Sequence, residues 1–196
     1  MDEGFRLAVA VLAAGASWRF GDSDKLCAEF RGEMLGLHVT SILPRDEFAF
    51  AFVIASNSNH PCASGWREFD FKVLTNPRAD EGMGTSVALA ARQALDIYAD
   101  ALMIALADMP MVPTAHFGAV AATARELGSE GIVVSSDGTT RLPPACFGSN
   151  HLEKLAKLNG DVGARAVLSD GQVIACPQEW LADVDTPEAL AALNPS

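Results

Sequence analysis

The sequence predicts an α/β fold of three layers, a mainly parallel sheet with helices on both faces. Two uninterrupted apolar runs carry the prediction, Leu7 to Leu12 and Ala101 to Ala107. Each is the length of a strand, and neither leaves a polar face for solvent, as in parallel strands covered on both sides. Around them, stretches with helical spacing alternate with further short apolar segments, the βαβα order of such a sheet.

Taken in order, the first strand runs straight into Ala14-Gly15-Ala16-Ser17, a turn with no side chain large enough to cover its own backbone. N–H groups exposed at the carboxyl end of a strand lie where open α/β sheets bind ligands. Arg19 and Lys25 add two cations within ten residues of that turn. The combination suits a polyphosphate better than a lone carboxylate; an ordinary small-residue turn is the alternative. It is not a P-loop, because Gly21 is followed by Asp22-Ser23-Asp24 before Lys25. Nor is it a dinucleotide fingerprint, since the turn has one Gly where two are needed and the second strand ends Ala55-Ser56-Asn57. A nicotinamide oxidoreductase is set aside on that ground.

Met34 to Leu43 reads as a short helix stopped by Pro44, Phe48 to Ala55 as the second strand and Lys72 to Thr75 as the third. Ser56 to Glu68, with Asn57, Asn59, Pro61 and Gly65, reads as a surface connection. Gly84 to Tyr98 is a helix, with Val87, Ala91, Ala94, Leu95 and Tyr98 near helical spacing and Thr85 or Ser86 as its N-cap. The central strand Ala101 to Ala107 ends at Asp108, and Pro110 and Pro113 prevent its continuation. Thr114 to Leu127 is helical, and Gly131 to Ser135 is a strand. Ser136 to Leu142 is a turn leading into Pro143-Pro144-Ala145-Cys146-Phe147. His151 to Leu158 and Val162 to Leu168 are short helices, Val173 to Cys176 an edge strand and Pro187 to Leu193 the last helix.

At 196 residues and 49% hydrophobic, the chain is expected to form one domain, residues 1–196, with a substantial core. Its Pro/Gly-rich stretch from about 136 to 171 could cover one end of the sheet as an acceptor-side subdomain. A net charge of −11 argues against nucleic acid or an anionic membrane as the main partner. Cys27, Cys62, Cys146 and Cys176 are far apart with no C-x-x-C pair, a poor zinc pattern and the picture of a reduced, cytoplasmic protein. The first apolar run imitates a signal peptide, but Asp2 and Glu3 oppose the positive flank that such a peptide needs.

Asp108 is the strongest single candidate for chemistry. A carboxylate ending an apolar strand sits at the rim of the core, where leaving it unpaired is costly. A hard cation such as Mg²⁺, with Mn²⁺ as a substitute, would satisfy it, and so would the N–H groups of the next turn. Asp183-Val184-Asp185 would supply a partner, with one of the two carboxylates facing the site. Asp185 could equally cap the helix that Pro187 opens, and Lys25 could pair on the surface with Asp22 or Asp24. Gly82-Met83-Gly84-Thr85-Ser86 puts two glycines and a hydroxyl at a helix start, a natural anion or ribose contact.

Leu12 to Lys25, L-A-A-G-x-S-x-R-x-G-x-x-x-K, resembles the signature of the nucleotidyltransferases that attach nucleotides to the molybdenum cofactor, and within them the molybdenum cofactor cytidylyltransferases. Asn76-Pro77 with Glu81 to Ser86, Ala107 to Pro110, Gly160 to Arg165 and Asp183 to Pro187 extend the likeness over nearly the whole chain. The resemblance implies a Rossmann-like nucleotidyltransferase fold that transfers CMP from CTP to molybdopterin bearing molybdenum, with pyrophosphate released. It implies that Leu12, Ala13, Ala14, Gly15, Lys25, Asn76, Gly82 and Ser86 bind nucleotide and that Lys25, Arg19 and Asp108 are catalytic. It makes Asp108 and Asp185 the metal ligands, and it puts Gly160, Asp161 and Arg165 beside the acceptor. Hand-over to a molybdoenzyme or its chaperone would follow. Guanylyl-transferring relatives resemble L-A-G-G where this chain has Ala14. Many relatives carry G-H-P where this chain has Leu142-Pro143-Pro144, so Pro143 replaces a histidine. GTP as donor, another small phosphate or alcohol acceptor, and a non-catalytic cofactor carrier are the alternatives; two metal carboxylates and Lys25 argue against the carrier.

Overall fold

Strand β1 (Leu7–Ala13) is buried along its whole length, and the sheet extends outward from it on both sides. The computed structural model describes residues 4–15, 20, 24–160 and 168–194. In chain order the other elements are β2 (Glu29–Phe30), β3 (Glu33–Met34), α1 (Leu35–Ile42), β4 (Phe50–Ala55), α2 (Ala63–Glu68), β5 (Lys72–Thr75) and α3 (Met83–Asp96). They are followed by β6 (Ala101–Leu106), α4 (Thr114–Leu127), β7 (Ile132–Ser136), β8 (Arg141–Gly148), α5 (Ser149–Leu155), β9 (Gln172–Ala175) and a last helix, α6 (Pro187–Leu193).

Seven strands form one sheet in the order β5-β4-β1-β6-β8-β7-β9. Pairing is parallel from β5 through β6 and again between β7 and β9, while β8 runs antiparallel to both neighbours. The alternation along β1 explains its all-apolar sequence. Leu7, Val9 and Val11 pack on one face with Val39, Trp66 and Phe117 from α1, α2 and α4. Ala8, Ala10 and Leu12 pack on the other with Val87, Ala91 and Leu152 from α3 and α5. The predicted layers, the mainly parallel sheet and the edge position of β9 all stand.

Three local expectations are corrected. The stretch Ser56 to Glu68 is not only surface connection, because it contains α2, whose Trp66 is fully buried and donates its indole N–H to Gly36 O at 2.7 Å. Neither Thr85 nor Ser86 caps α3: Gly82 holds that position at φ +114°, in the region that favours glycine. The turn expected over Ser136 to Leu142 is shorter, because Arg141 and Leu142 already belong to β8, which continues through Pro143 to Phe147 in the interior of the sheet. The prolines are tolerated there because the β7–β8 register breaks at that point. Val134 pairs with Ala145 and Ser135 with Leu142, so Pro143 and Pro144 fall in the irregularity, where no ladder N–H is required. The helix expected over Val162 to Leu168 lies mostly outside the described residues.

A buried polar relay closes the irregularity. The Ser135 hydroxyl donates to Pro144 O at 2.7 Å and accepts from His116 Nε2 at 2.8 Å. Burial lowers the His116 pKa, which favours the neutral ring. Ser135 is completely buried, so Ser135→Ala strands both a donor and an acceptor. Denaturant unfolding is expected to show a loss of about 2–3 kcal/mol, with the m-value unchanged.

Candidate active site

The carboxyl ends of β1 and β6 open onto a cavity of about 340 Å³. Leu12, Ala13, Ala14 and Gly15 line one wall, and Gly82, Met83 and Ser86 at the start of α3 line the facing one. Lys25 and Asp108 are part of the same lining. The N-terminus of a 14-residue helix adds the positive end of its dipole to a site already holding backbone N–H groups.

Lys25 is the first residue of a 3-10 turn, Lys25–Cys27, whose cap is the Asp24 carboxylate accepting from Leu26 N at 2.9 Å. The turn directs the lysine inward rather than to the surface. Its Nζ lies 2.6 Å from Asp108 Oδ2 and 2.9 Å from Asp185 Oδ1, joining residues 83 and 160 positions away in sequence. Burial opposes charge on Lys25, but the two carboxylates outweigh it and hold the pKa above the ordinary lysine range. Burial also pushes the Asp108 carboxyl up, against the Lys25 ammonium that pulls it down. A carboxylate raised by burial at the end of a central strand is the kind of group that a further cation would stabilise.

The alternatives for these carboxylates separate cleanly. Helix α6 is capped by Thr186, whose Oγ1 accepts from Ala189 N at 3.2 Å, which leaves Asp185 to Lys25. Two residues apart on extended backbone share a side, so alternation alone does not divide Asp183 from Asp185. Val184 between them is buried, and its N–H on Asp108 O at 2.8 Å ties this segment to the residue just past the end of β6. Asp185 meets Lys25, while Asp183 is exposed and its charge disfavours ionisation of Asp108.

Of the other expected residues, Asn76 sits behind the cavity wall rather than in it. It is buried, and its Nδ2 donates to Thr85 Oγ1 and Ser86 Oγ, both at 2.9 Å, so it braces the first turn of α3. Gly160, at φ +65°, docks on the same helix start, with its carbonyl accepting from Gly84 N at 2.8 Å. Arg19, Asp161 and Arg165 lie outside the described residues. The sequence reading missed Ala79, Asp80, Met83 and Leu106, which all line the cavity. The 3-10 turn Ala79–Glu81 runs from the gap after Asn76-Pro77 into the matched segment Glu81 to Ser86, and that position was the available signal for Ala79 and Asp80.

Residues 9–176 match the family model described as a MobA-like NTP transferase domain. The chain belongs to that family. This MobA-like protein is a nucleotidyltransferase. It is 30% identical over 195 residues to the purine catabolism protein PucB of Bacillus subtilis, covering 90% of each chain. Among solved structures it is similar to a nucleotidyl transferase from Methanothermobacter, with a TM-score of 0.80, 17% identity and 97% of both chains covered. It is also similar to a manganese complex of Rv0371C from Mycobacterium tuberculosis, with a TM-score of 0.68, 21% identity, and 96% and 98% of the chains covered. Those two likenesses show the fold alone. Among the described residues no helix is long and apolar enough to cross a membrane.

Proposed function

We propose that the protein transfers CMP from CTP to the terminal phosphate of molybdenum-bearing molybdopterin, with release of pyrophosphate. One observation carries the reading: Asp108 and Asp185 converge on Lys25, and Lys25 and Asp108 line the same cavity as residues 12–15. Asp108 Oδ2 and Asp185 Oδ1 both meet the Lys25 ammonium, and the remaining carboxylate oxygens of the pair suit a divalent cation such as Mg²⁺ or Mn²⁺, which keeps most of its coordination for water and phosphate. Such an ion, when bound by Asp108 and Asp185, would neutralise charge on the triphosphate.

The chain's own groups supply the rest. Backbone N–H groups of residues 12–15 and the start of α3 hold the triphosphate. Lys25 and Arg19 meet the β- and γ-phosphates, and Gly82 and Ser86 contact the ribose side. Gly160, Asp161 and Arg165 hold the acceptor, with Arg165 on its phosphate as a bidentate pair. An oxygen of that phosphate attacks the α-phosphorus in line. The new P–O bond forms as the α–β bridging bond breaks, and the electron pair leaves on pyrophosphate, where Lys25 offsets it. No covalent protein intermediate is required.

Ala14 supports the choice of CTP. It is buried in the cavity wall, and its methyl leaves less room for a purine than glycine would. Ala14→Gly is expected to shift kcat/KM toward GTP by roughly tenfold relative to CTP, the range of one methyl group in a pocket. Unmoved preferences would remove the steric argument. Pro143 favours one second reading, the same chemistry on another small phosphate or alcohol acceptor, because it cannot reproduce a histidine contact. Product mass from purified protein, CTP and each acceptor, with pyrophosphate measured in parallel, separates the two. Nucleotide binding without pyrophosphate release from any donor would leave only a carrier.

A further inference from the structure

We propose that His60 is a positioning residue that holds Lys25 in place through Asp24. The inference rests on the role given to Lys25 above. His60 follows β4 in sequence and is 4% exposed, with its ring stacked on Trp66 at a centroid distance of 4.8 Å and an interplanar angle of 22°. Its Nδ1 accepts from Cys62 N at 3.1 Å, which puts the ring proton on Nε2. That N–H points at Asp24 Oδ2, 2.8 Å away. The other oxygen of Asp24 caps the turn that begins with Lys25. The links run unbroken from a buried tryptophan to the ammonium in the cavity: ring stack, imidazole N–H, carboxylate, turn, lysine.

Lysine has four rotatable bonds: Asp108 and Asp185 hold its ammonium at one end, and the turn capped by Asp24 fixes the backbone at the other. Asp24 is 38% exposed along its side chain, so losing the imidazole N–H loosens its carboxylate and weakens the cap on Leu26 with it. Fixing that carboxylate is what the buried ring contributes.

A competing reading comes from the same place. One ligand atom each of Asp24, Cys27 and His60 lies within 4.8 Å of the others, a composition that zinc accepts. The hydrogen bonds oppose it. A metal on Nε2 needs the ring proton on Nδ1, where it would meet the Cys62 N–H head-on at 3.1 Å. Burial and Asp24 also raise the Cys27 thiol pKa, the wrong direction for a thiolate ligand.

The test compares wild type with His60→Ala, His60→Gln, Asp24→Ala and the double alanine variant. Two readouts are used: kcat/KM for CTP, and acylation of Lys25 by a water-soluble amine reagent followed by mass spectrometry. His60→Ala is expected to lose about 30-fold in kcat/KM, within the range of a misplaced catalytic group. Asp24→Ala should lose a similar factor, and the double variant no more than Asp24→Ala alone, since both act along one path. Lys25 should be acylated at least tenfold faster in His60→Ala. His60→Gln, whose amide N–H reaches Asp24, should restore slow labelling; it also carries the test if the alanine variant fails to fold. Additive losses, unchanged Lys25 labelling in His60→Ala, or stoichiometric zinc in the purified protein that His60→Ala abolishes would each overturn the proposal. Labelling needs no turnover, so a wild-type protein inactive with every nucleotide would refute the proposed function while the positioning question was still answered.

Discussion

Asp108→Asn is expected to lower pyrophosphate release from CTP by about 10²–10³-fold while the chain stays folded. The carboxamide keeps the volume of the side chain and can still accept from Lys25, but it carries no charge. The loss therefore isolates charge at the point where β6 ends. Removing one preorganised electrostatic group from an active site costs about 3–4 kcal/mol of barrier. Stability moves less, because two effects oppose each other. The variant gives up a charge-assisted bond to Lys25, which retains Asp185 at 2.9 Å. It also relieves the burial that pushes the Asp108 carboxyl up. The net change is expected to be within about 2 kcal/mol, because Lys25 keeps Asp185 and is not left as an uncompensated buried charge. Circular dichroism and a denaturant curve check the fold, and a phosphate-coupled assay checks turnover. Equal turnover in wild type and variant would remove the enzymatic role of this carboxylate.

Gly84→Ala is the second large effect, and it acts on packing. A Cβ at this position would overlap the Gly160 carbonyl oxygen and lie 3.3 Å from the Asn159 carbonyl carbon. Both are backbone atoms and cannot rotate away. The start of α3 and the segment from Asn159 onward would have to separate, which breaks the bond from Gly84 N to Gly160 O at 2.8 Å. Forcing a methyl group into such a contact costs about 1–3 kcal/mol. On the proposed reading the separation falls between nucleotide and acceptor, so KM for the acceptor should rise by at least tenfold while KM for CTP changes less. Arg78 adds a second tie across the same joint, with Nη2 on Asn159 Oδ1 at 2.9 Å. A variant with wild-type stability and unchanged acceptor KM would show that the joint is not part of the site.

Most of the sheet was legible because burial on both faces writes itself as an unbroken apolar run, as in β1 and β6. The helices α3 and α4 were legible because their spacing is regular. Strand β8 was not, because two prolines argue against a sheet interior, and only the register break opposite Ser135 makes room for them. Helix α2 was obscured by the turn residues Asn57, Asn59, Pro61 and Gly65 around a single buried tryptophan. In the site, Asp108 could be picked from residue type and local position, whereas Asp185 over Asp183, and Lys25 over a surface lysine, rested on the motif resemblance. Their meeting at one point was not legible, since pairs 83 and 160 residues apart leave no local signal. His60 was illegible for the same reason: its partner Asp24 stands 36 residues earlier, on another element. Asn76 was assigned to the nucleotide by motif, whereas its geometry is spent on the helix start behind the cavity.

A crystal of the protein grown with Mn²⁺ and a non-hydrolysable CTP analogue, measured at the manganese absorption edge, tests the central claim most directly. One anomalous peak beside Asp108 and Asp185 is expected, close to the triphosphate, with the phosphates lying along residues 12–15. A peak elsewhere, or a triphosphate bound away from Lys25, would contradict it.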